Sequence, residues 1–270
     1  MDNNFVPKST NKIIKKDKKM GTIKASILKI LANILGNYEF EIKSGLAKGL
    51  KRRVGKGFKP RWGLAEDEKF IKKLNFKGKT VFDIGGYIGM YSLFFGKVVG
   101  KKGKVFTFEP NPENYEELTF NVKLNKLKNI KTYLLAIGSK KTKLELTVPN
   151  YSSRGSLEPL IKKQICKEGC CNTFKVAVET IDSLIKRKLL TKPDFIKIDV
   201  EGFETEVLKG MIKTMKRFKP ELFIEIHGKL KKETVKIILE RDYSIYHVES
   251  DTTITSLNYP LIEEGHIYCK

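Results

Sequence analysis

From residue 64 onward, the sequence alternates between short apolar segments with strand character and longer segments with a helical pattern. Such alternation is typical of an α/β domain in which helices connect parallel strands and cover both faces of the sheet. The chain has 270 residues, enough for one such domain over residues 61–270 and an N-terminal extension over residues 1–60. We therefore predict a Rossmann-like fold with a mostly parallel, seven-stranded sheet. The clearest strand patterns occur at residues 79–85, 104–110, 129–138, 194–202 and 220–228.

The first of these strands runs into a glycine-rich turn, within the segment VFDIGGYIGMYSLFF at residues 81–95. Gly85 and Gly86 allow the backbone to turn tightly and allow a ligand to approach without meeting a Cβ atom. Gly89 allows the following helix to pack closely on the strand. Parallel sheets bind ligands at the carboxyl ends of their strands, so this turn is a candidate ligand site.

Glu109 ends the second strand pattern, about 20 residues further along the chain. An acid at this place can accept hydrogen bonds from both hydroxyls of a ribose, so the two features together predict a nucleoside cofactor. An NAD-dependent oxidoreductase is one alternative. Two details argue against NAD. The turn reads D-x-G-G-x-x-G where the dinucleotide fingerprint is G-x-G-x-x-G, and the chain turns abruptly after the acid in FEPNP.

The sequence here resembles the class I S-adenosylmethionine-dependent methyltransferases and, more narrowly, the FkbM family. The resemblance covers roughly residues 60–245 and rests on VFDIGGYIGMYSLFF, FEPNPENYEELTFNVKLN, TIDSLI, DFIKIDVEGFETEVLKG and PELFIEIH, in this order. It implies the class I methyltransferase fold and methylation of a hydroxyl on a sugar, glycolipid or small metabolite. The family commonly has Asn where this chain has Tyr87. By matched position, the implied cofactor contacts are Asp83, Gly85, Gly86, Tyr87, Gly89, Glu109, Pro110, Asn111, Ala136 and Ile137.

Two acids and a histidine near the ends of the fourth and fifth strand patterns are the predicted catalytic residues. Asp199 ends one strand, while Glu225 and His227 end the next, on the same face. His227 or an acid could take the proton of an acceptor hydroxyl. Alternatively, the three side chains could hold a divalent cation that lowers the pKa of that hydroxyl. A non-catalytic interpretation also stays open, in which Asp199 and Glu201 only cap the next helix.

The chain has a formal net charge of +22, which comes mostly from Lys. Such a charge favours an anionic partner, such as RNA, phospholipid headgroups or a phosphorylated substrate. Arg, which makes bidentate contacts to phosphates and bases, is scarce, so nucleic acid is not the favoured partner. An RNA methyltransferase that holds its substrate with a basic N-terminal segment is a second alternative function.

The N-terminal extension has three predicted parts. Residues 1–20 form a disordered polar arm, residues 21–36 an amphipathic helix, and residues 37–60 a small β-hairpin region. The helix could pack on the domain or contact a membrane surface. We expect a cytoplasmic protein, because no segment approaches the roughly 18 consecutive apolar residues of a membrane span and the start lacks the apolar run of a secretory signal. The oligomeric state stays open.

A long segment at residues 149–172 interrupts the strand–helix pattern, as substrate-binding insertions do. Arg154 and Ser156 are its candidate acceptor contacts, and Arg61 and Trp62 could cover the cofactor entrance. No role in the site is expected for Cys166, Cys170, Cys171 and Cys269, which lack paired C-x2-C spacing, or for Glu204 and Glu206, which are expected to face solvent.

Overall fold

The structure is a computed structural model, and it describes residues 38–53, 63–149, 156–157, 171–259 and 262–270. Thirteen strands and seven helices lie within these ranges. The strands are β1 Glu39–Glu41, β2 Lys51–Arg53, β3 Thr80–Ile84, β4 Lys104–Phe108, β5 Ile130–Tyr133, β6 Ala136–Ile137, β7 Thr142–Pro149, β8 Cys171–Glu179, β9 Phe195–Ile198, β10 Glu221–His227, β11 Ile245–His247, β12 Thr252–Ile254 and β13 Glu264–Cys269. The helices are α1 Glu66–Lys73, α2 Met90–Val98, α3 Pro112–Leu124, α4 Ile181–Lys186, α5 Glu204–Lys209, α6 Ile212–Phe218 and α7 Lys232–Leu239.

The main sheet contains eight of the described strands, in the order β12-β11-β13-β10-β9-β3-β4-β5. Neighbours from β10 to β5 run parallel, and β13, β11 and β12 add an antiparallel edge. The predicted α/β fold with a mostly parallel sheet is confirmed, although the sheet has one strand more than predicted. Strand β12, which the sequence pattern did not indicate, pairs with β11 at the edge.

Helices cover both faces of the main sheet. Phe82 of β3 belongs to the apolar core on one face, whereas the preceding Val81 packs with Phe95 of α2 on the other. Because alternate residues of a strand point to opposite faces, a strand that is buried on both faces is apolar throughout. A charged residue within such a strand is therefore exceptional, and Asp83 in β3 and Lys197 in β9 are two of this kind.

Two predicted elements are each divided in the structure. The strand predicted over residues 129–138 separates into β5, in the main sheet, and β6, which pairs with β8 in a second sheet of order β6-β8-β7. The helical pattern of the sequence over residues 204–218 predicts one helix, which in the structure is broken into α5 and α6 at Gly210. A Cβ on Gly210 would lie 2.0 Å from the carbonyl oxygen of Gly138, so the chain needs glycine there. The need for glycine at this position comes from a contact with a residue distant in sequence, which helical periodicity does not report.

Strands β1 and β2 form an antiparallel pair within the predicted hairpin region. Asn125, which directly follows α3, accepts a hydrogen bond from the Lys51 backbone N–H at 2.8 Å and donates to the Lys51 carbonyl at 2.6 Å. The amide oxygen of Asn121 accepts from the Arg53 backbone N–H at 3.2 Å, and the Arg53 guanidinium pairs with Glu117. These contacts fix one edge of β2 on the α/β domain.

Several predicted features lie outside the described residues. None of the described helices has the length and apolar character that a bilayer crossing requires. Cys171 and Cys269 lie within the described ranges, where Cys171 is partly exposed and Cys269 is buried. Outside these ranges are the arm at residues 1–20, the helix at residues 21–36, the domain boundary near residue 60, Arg61, Trp62, Arg154, Cys166 and Cys170.

Candidate active site

A cavity of about 820 Å³ lies between the carboxyl ends of β3, β4 and β9 and the β1–β2 hairpin. This is the edge of a parallel sheet at which ligands bind. Apolar residues of the hairpin, β6 and β7 line part of the cavity, and polar residues of the strand ends line the rest. The predicted site residues in its lining are Gly85, Tyr87, Glu109, Pro110, Asn111, Ala136, Ile137, Asp199 and Glu225.

The glycine turn after β3 passes tightly between neighbouring strands. Gly85 has a φ of +87°, and a Cβ there would lie 1.7 Å from the carbonyl oxygen of Asp199. A Cβ on Gly86 would lie 2.2 Å from Thr107 Cγ2 of β4, and Gly89 packs against Leu118 of α3. Gly86 and Gly89 are therefore required by packing within the protein. Of the three glycines, Gly85 lines the cavity.

Glu109 follows β4 and is held by two backbone N–H groups. Its Oε2 accepts a hydrogen bond from Tyr87 N–H at 2.8 Å, and its Oε1 accepts one from Asn111 N–H at 2.8 Å. Burial raises the pKa of Glu109 to about 7, although these two bonds and the Asn114 side chain act in the opposite direction. Each carboxylate oxygen has a further lone pair, so Glu109 can accept hydrogen bonds from two adjacent hydroxyls of a ligand.

Asn111 directly precedes α3 and is part of the cavity lining. The Oδ1 atom accepts from the Glu113 N–H at 3.0 Å, which caps the helix. The Nδ2 atom is buried, and no described residue accepts a hydrogen bond from it. Leaving a buried donor unsatisfied is costly, and an acceptor atom of a bound ligand would remove that cost. Gly85, Glu109 and Asn111 together therefore fit a nucleoside ligand.

Asp83 is fully buried and does not line the cavity. Its Oδ2 accepts a hydrogen bond from Ser92 Oγ of α2 at 2.5 Å, and the Thr107 hydroxyl donates to the same Ser92 at 2.9 Å. Burial raises the pKa of Asp83, while the charge of Lys197 and the Ser92 bond lower it. The acid that was predicted to contact the cofactor is thus placed to anchor α2 and to balance a buried cation.

That cation, Lys197, was not singled out by the sequence analysis. Its Nζ donates to Asp199 Oδ2 at 2.9 Å and lies 4.5 Å from the centre of the Tyr91 ring. Burial lowers its pKa, but the charges of Asp199, Asp83 and Glu225 outweigh burial and raise the pKa to about 12. In the sequence, the feature that could have identified Lys197 as a buried charge is its position in the otherwise apolar run FIKI of β9.

His227 lies among four carboxylates. Its Nε2 is 3.6 Å from Asp199 Oδ1 and 3.4 Å from Glu201 Oε2. The same nitrogen is 3.4 Å from Glu225 Oε1, and Nδ1 is 3.2 Å from Glu204 Oε1. Burial lowers the pKa of His227, but these acids raise it to about 11. Without a metal, the imidazole is therefore protonated at neutral pH and does not accept a proton.

One atom from each of Asp199, Glu201 and His227 lies within 4.8 Å of the other two, which is close enough to share a metal ion. The predicted set had Glu225 in the place of Glu201. In the structure, Glu225 also faces His266, with its Oε2 at 3.6 Å from His266 Nε2. The turn after β9 therefore supplies two of the three candidate ligands.

The prediction that Glu204 faces solvent is wrong. Glu204 is 7% exposed, and its Oε1 accepts a hydrogen bond from Gly202 N–H at 2.8 Å in addition to its contact with His227. The turn at Gly202 places this first residue of α5 beside the end of β10. Glu206 is partly buried and accepts hydrogen bonds from Ser139 Oγ at 2.5 Å and Lys209 Nζ at 2.8 Å.

Ser156 is buried against the turn that carries Glu201. Its hydroxyl donates to the Glu201 carbonyl at 2.8 Å, and its backbone bridges to Thr147 of β7. The next residue, Leu157, lines the cavity. This part of the insertion thus supports the site, and a contact between Ser156 and the acceptor stays a prediction.

Comparison with known proteins identifies the family. A family model described as "Methyltransferase FkbM domain" matches residues 83–245, which is more than half of the chain. The chain belongs to the FkbM methyltransferase family. The resemblance on which the sequence analysis relied is thereby confirmed. The range that matches the FkbM model contains the glycine turn, Glu109 and the group around His227.

Individual relatives also carry methyltransferase names. The chain is 28% identical over 184 residues to the hexuronic acid methyltransferase AglP of Haloferax volcanii, covering 66% of each chain. It is 29% identical over 155 residues to the methyltransferase sdnD of Sordaria araneosa, covering 48% of this chain and 60% of that one. A crystal structure of methyltransferase FkbM from Methylobacillus flagellatus aligns with a TM-score of 0.48 and 20% identity, over 74% of this chain and 45% of that one. The chain thus spans less than two thirds of the length of these relatives.

Proposed function

We propose that this protein transfers the methyl group of S-adenosylmethionine to a hydroxyl of a sugar, glycolipid or other small metabolite. The observation that carries the proposal is that Gly85, the buried carboxylate of Glu109 and Asp199 all line one cavity. Its volume of about 820 Å³ is towards the upper end of small-molecule sites and suits a cofactor together with part of an acceptor. The name of the Haloferax relative favours a glycan acceptor that contains an acidic sugar.

The lining of the cavity suits each part of this cofactor. Gly85 contributes its backbone to the cavity lining, and Glu109 accepts hydrogen bonds from the ribose hydroxyls. Asn111 Nδ2 offers a donor to the nucleoside, and Ala136 and Ile137 offer an apolar surface to adenine. The cofactor supplies a methyl group that its sulfonium makes electrophilic.

We propose that Asp199 orients the acceptor hydroxyl and accepts its proton. This residue lines the cavity, and the bond from Lys197 fixes its carboxylate. Burial raises the pKa of Asp199, Lys197 and His227 lower it, and Glu225 raises it further, with a net shift upwards. A carboxylate with a raised pKa is a better proton acceptor. Asp199 can therefore orient the hydroxyl and take its proton as the oxygen attacks.

A divalent cation offers a second way to activate the hydroxyl at the same place. Asp199, Glu201 and His227 would hold it, and two carboxylates with one imidazole suit Mn²⁺. Such a cation would lower the pKa of the acceptor hydroxyl. It would also take the place of the proton that His227 otherwise carries.

We expect one Mn²⁺ to bind per chain in isothermal titration calorimetry and expect EDTA to reduce methyl transfer about tenfold or more. Glu201→Gln is expected to remove the binding, because the set of three ligands loses one charged oxygen. Glu233→Gln, which changes an exposed acid on α7, is the matched control. Full activity in EDTA would contradict the role of a metal and would indicate that Asp199 activates the hydroxyl without one.

The proposed reaction is tested with S-adenosylmethionine that is labelled on its methyl group. Purified protein is incubated in separate reactions with a glucuronate-containing glycan, a neutral glycan, a host small-metabolite fraction and total RNA. Label in a glycan or in the metabolite fraction supports the proposal. Label in RNA alone would favour the RNA methyltransferase alternative. Calorimetric binding of NADH without binding of S-adenosylhomocysteine would favour the oxidoreductase alternative.

Glu109→Gln is expected to weaken the binding of S-adenosylhomocysteine about 10- to 100-fold, because the charged acceptor of the ribose hydroxyls is lost. For the unsubstituted protein, the affinity is expected to rise about tenfold between pH 6 and pH 8, since Glu109 releases its proton with a pKa of about 7. Calorimetry at both pH values measures this effect. Glu116→Gln, on the exposed side of α3, is the control. An affinity that does not change with pH would contradict the role of Glu109.

Without ligand, the same pKa shift has the opposite effect on stability. The pKa of Glu109 is about 7 in the folded protein and 4.5 for an unperturbed glutamate. Between these values the folded state binds more protons than the unfolded state. The free energy of unfolding therefore falls as the pH rises through this window, and a bound ribose offsets the loss.

A further inference from the structure

Arg52 is a buried arginine in the lining of the cavity. Because alternate residues of a strand point in opposite directions, Lys51 and Arg53 lie on the other side of β2. Lys51 is exposed, and Arg53 pairs with Glu117 of α3. Arg52, between them, is 5% exposed and lines the cavity.

The surroundings of Arg52 orient its guanidinium. Its Nε donates to the Arg53 carbonyl at 3.3 Å, and its guanidinium carbon lies 5.7 Å from the centre of the Phe40 ring. The charges of Glu117 and Tyr87 act on Arg52, and Glu117 also contacts the Arg53 guanidinium. Burial lowers the pKa of Arg52, but a guanidinium remains protonated at neutral pH.

We infer that Arg52 binds a carboxylate of the ligand that occupies the cavity. The inference rests on the proposed function, which brings two carboxylate-bearing molecules to this place. One is the amino-acid part of the cofactor, and the other is an acceptor that contains a uronic acid. A guanidinium can bind a carboxylate through two parallel hydrogen bonds. The attachment of β2 to Asn121 and Asn125 holds the Arg52 backbone in place before the ligand arrives.

Two nucleosides test whether the carboxylate belongs to the cofactor. S-adenosylhomocysteine has the amino-acid carboxylate, whereas 5′-methylthioadenosine lacks it. If Arg52 binds this group, Arg52→Gln weakens the binding of S-adenosylhomocysteine about 10- to 100-fold and leaves that of methylthioadenosine unchanged in calorimetry.

Two sugars test whether the carboxylate belongs to the acceptor. Glucuronate and glucose are compared by saturation-transfer NMR in the presence of S-adenosylhomocysteine. If Arg52 binds the acceptor, the unsubstituted protein prefers glucuronate, and Arg52→Gln removes that preference without changing nucleoside binding. Either pattern supports the inference and assigns the carboxylate to its source.

Two further variants separate carboxylate binding from damage to the hairpin. Lys51→Gln removes the same charge from the neighbouring, exposed position and is expected to bind all four probes normally. Arg52→Lys keeps the charge but not the planar fork, so its losses are expected to lie between those of Arg52→Gln and the unsubstituted protein. Thermal unfolding checks that each variant is folded.

Unchanged binding of all four probes in Arg52→Gln would overturn the inference and leave the proposed function intact. An equal loss for both nucleosides would also overturn it, because Arg52 would then shape the cavity without binding a carboxylate. Failure of the unsubstituted protein to bind S-adenosylhomocysteine would instead overturn the proposed function, and the inference with it.

Discussion

Lys197→Met is expected to lower the free energy of unfolding by about 3–5 kcal/mol at neutral pH. Lys197 is fully buried, and its Nζ donates to Asp199 at 2.9 Å. The Cα atoms of Lys197 and Asp83 are register partners on adjacent strands, so their side chains share one face of the sheet. Met fills a similar volume but leaves the buried carboxylates without their cation. Urea denaturation followed by circular dichroism measures the change.

Two comparisons separate this charge effect from a packing effect. Lys209→Met breaks the pairs with Glu206 and Glu233 nearer the surface and is expected to cost about 0–1 kcal/mol. Asp83→Asn, added to Lys197→Met, is expected to recover part of the loss, because one uncompensated charge is removed. If Lys197→Met is no less stable than Lys209→Met, the charge of the buried lysine does not stabilise the folded protein.

The sign of the pH dependence provides a further check. Without Lys197, Asp83 and Asp199 lose the positive charge that lowers their pKa values. Both acids then bind protons more readily in the folded state than in the unfolded state. The loss in the free energy of unfolding that Lys197→Met causes is therefore expected to be largest at neutral pH. It is expected to become smaller as the pH falls through the raised pKa values.

The fold could be predicted from the sequence because a parallel α/β sheet leaves a strong pattern. Strands that are buried on both faces are short apolar runs, and β3, β4, β9 and β10 all appear where these runs occur. The divisions at Gly210 and between β5 and β6 could not be predicted in this way. Each depends on a partner that is distant in sequence: Gly138 for the first, and β8 for the second.

The candidate site was predicted in part, for a reason that lies in strand geometry. The carboxyl ends of parallel strands meet at one edge, so Gly85, Glu109 and Asp199 could be expected together. Which side chains face the cavity depends in addition on register and on covering elements. Asp83 therefore received a cofactor role, although it lies against Ser92 and shares a face with Lys197.

Arg52 shows the same limit for a residue that lines the cavity but was not predicted to do so. It belongs to a basic region in which one arginine is hard to distinguish from many lysines. Its burial depends on the packing of β2 against α3, and that packing depends on two asparagines about 70 residues later in the chain. Charge composition thus indicated an anionic partner without indicating the residue that lies in the cavity.

Asp199→Asn is expected to reduce the turnover number about 10²- to 10⁴-fold, while the affinity for S-adenosylhomocysteine stays close to that of the unsubstituted protein. Asn has the size of Asp but cannot accept the hydroxyl proton or carry the charge that binds a cation. Cofactor binding is expected to be retained, because the substitution keeps the backbone of residue 199 beside Gly85 and leaves Glu109 unchanged. Single-turnover methyl transfer and calorimetry measure the two quantities separately.

Asp194→Asn is the matched control, because Asp194 directly precedes β9 at the end of the strand away from the cavity. Its Oδ2 accepts a hydrogen bond from the Thr80 N–H at 2.8 Å, and an amide oxygen can replace that acceptor. This variant is therefore expected to keep full turnover. If Asp199→Asn also turns over normally, the proton of the acceptor hydroxyl goes elsewhere. If Asp199→Asn loses cofactor affinity in step with turnover, Asp199 belongs to the binding of the cofactor and not to the reaction with the acceptor.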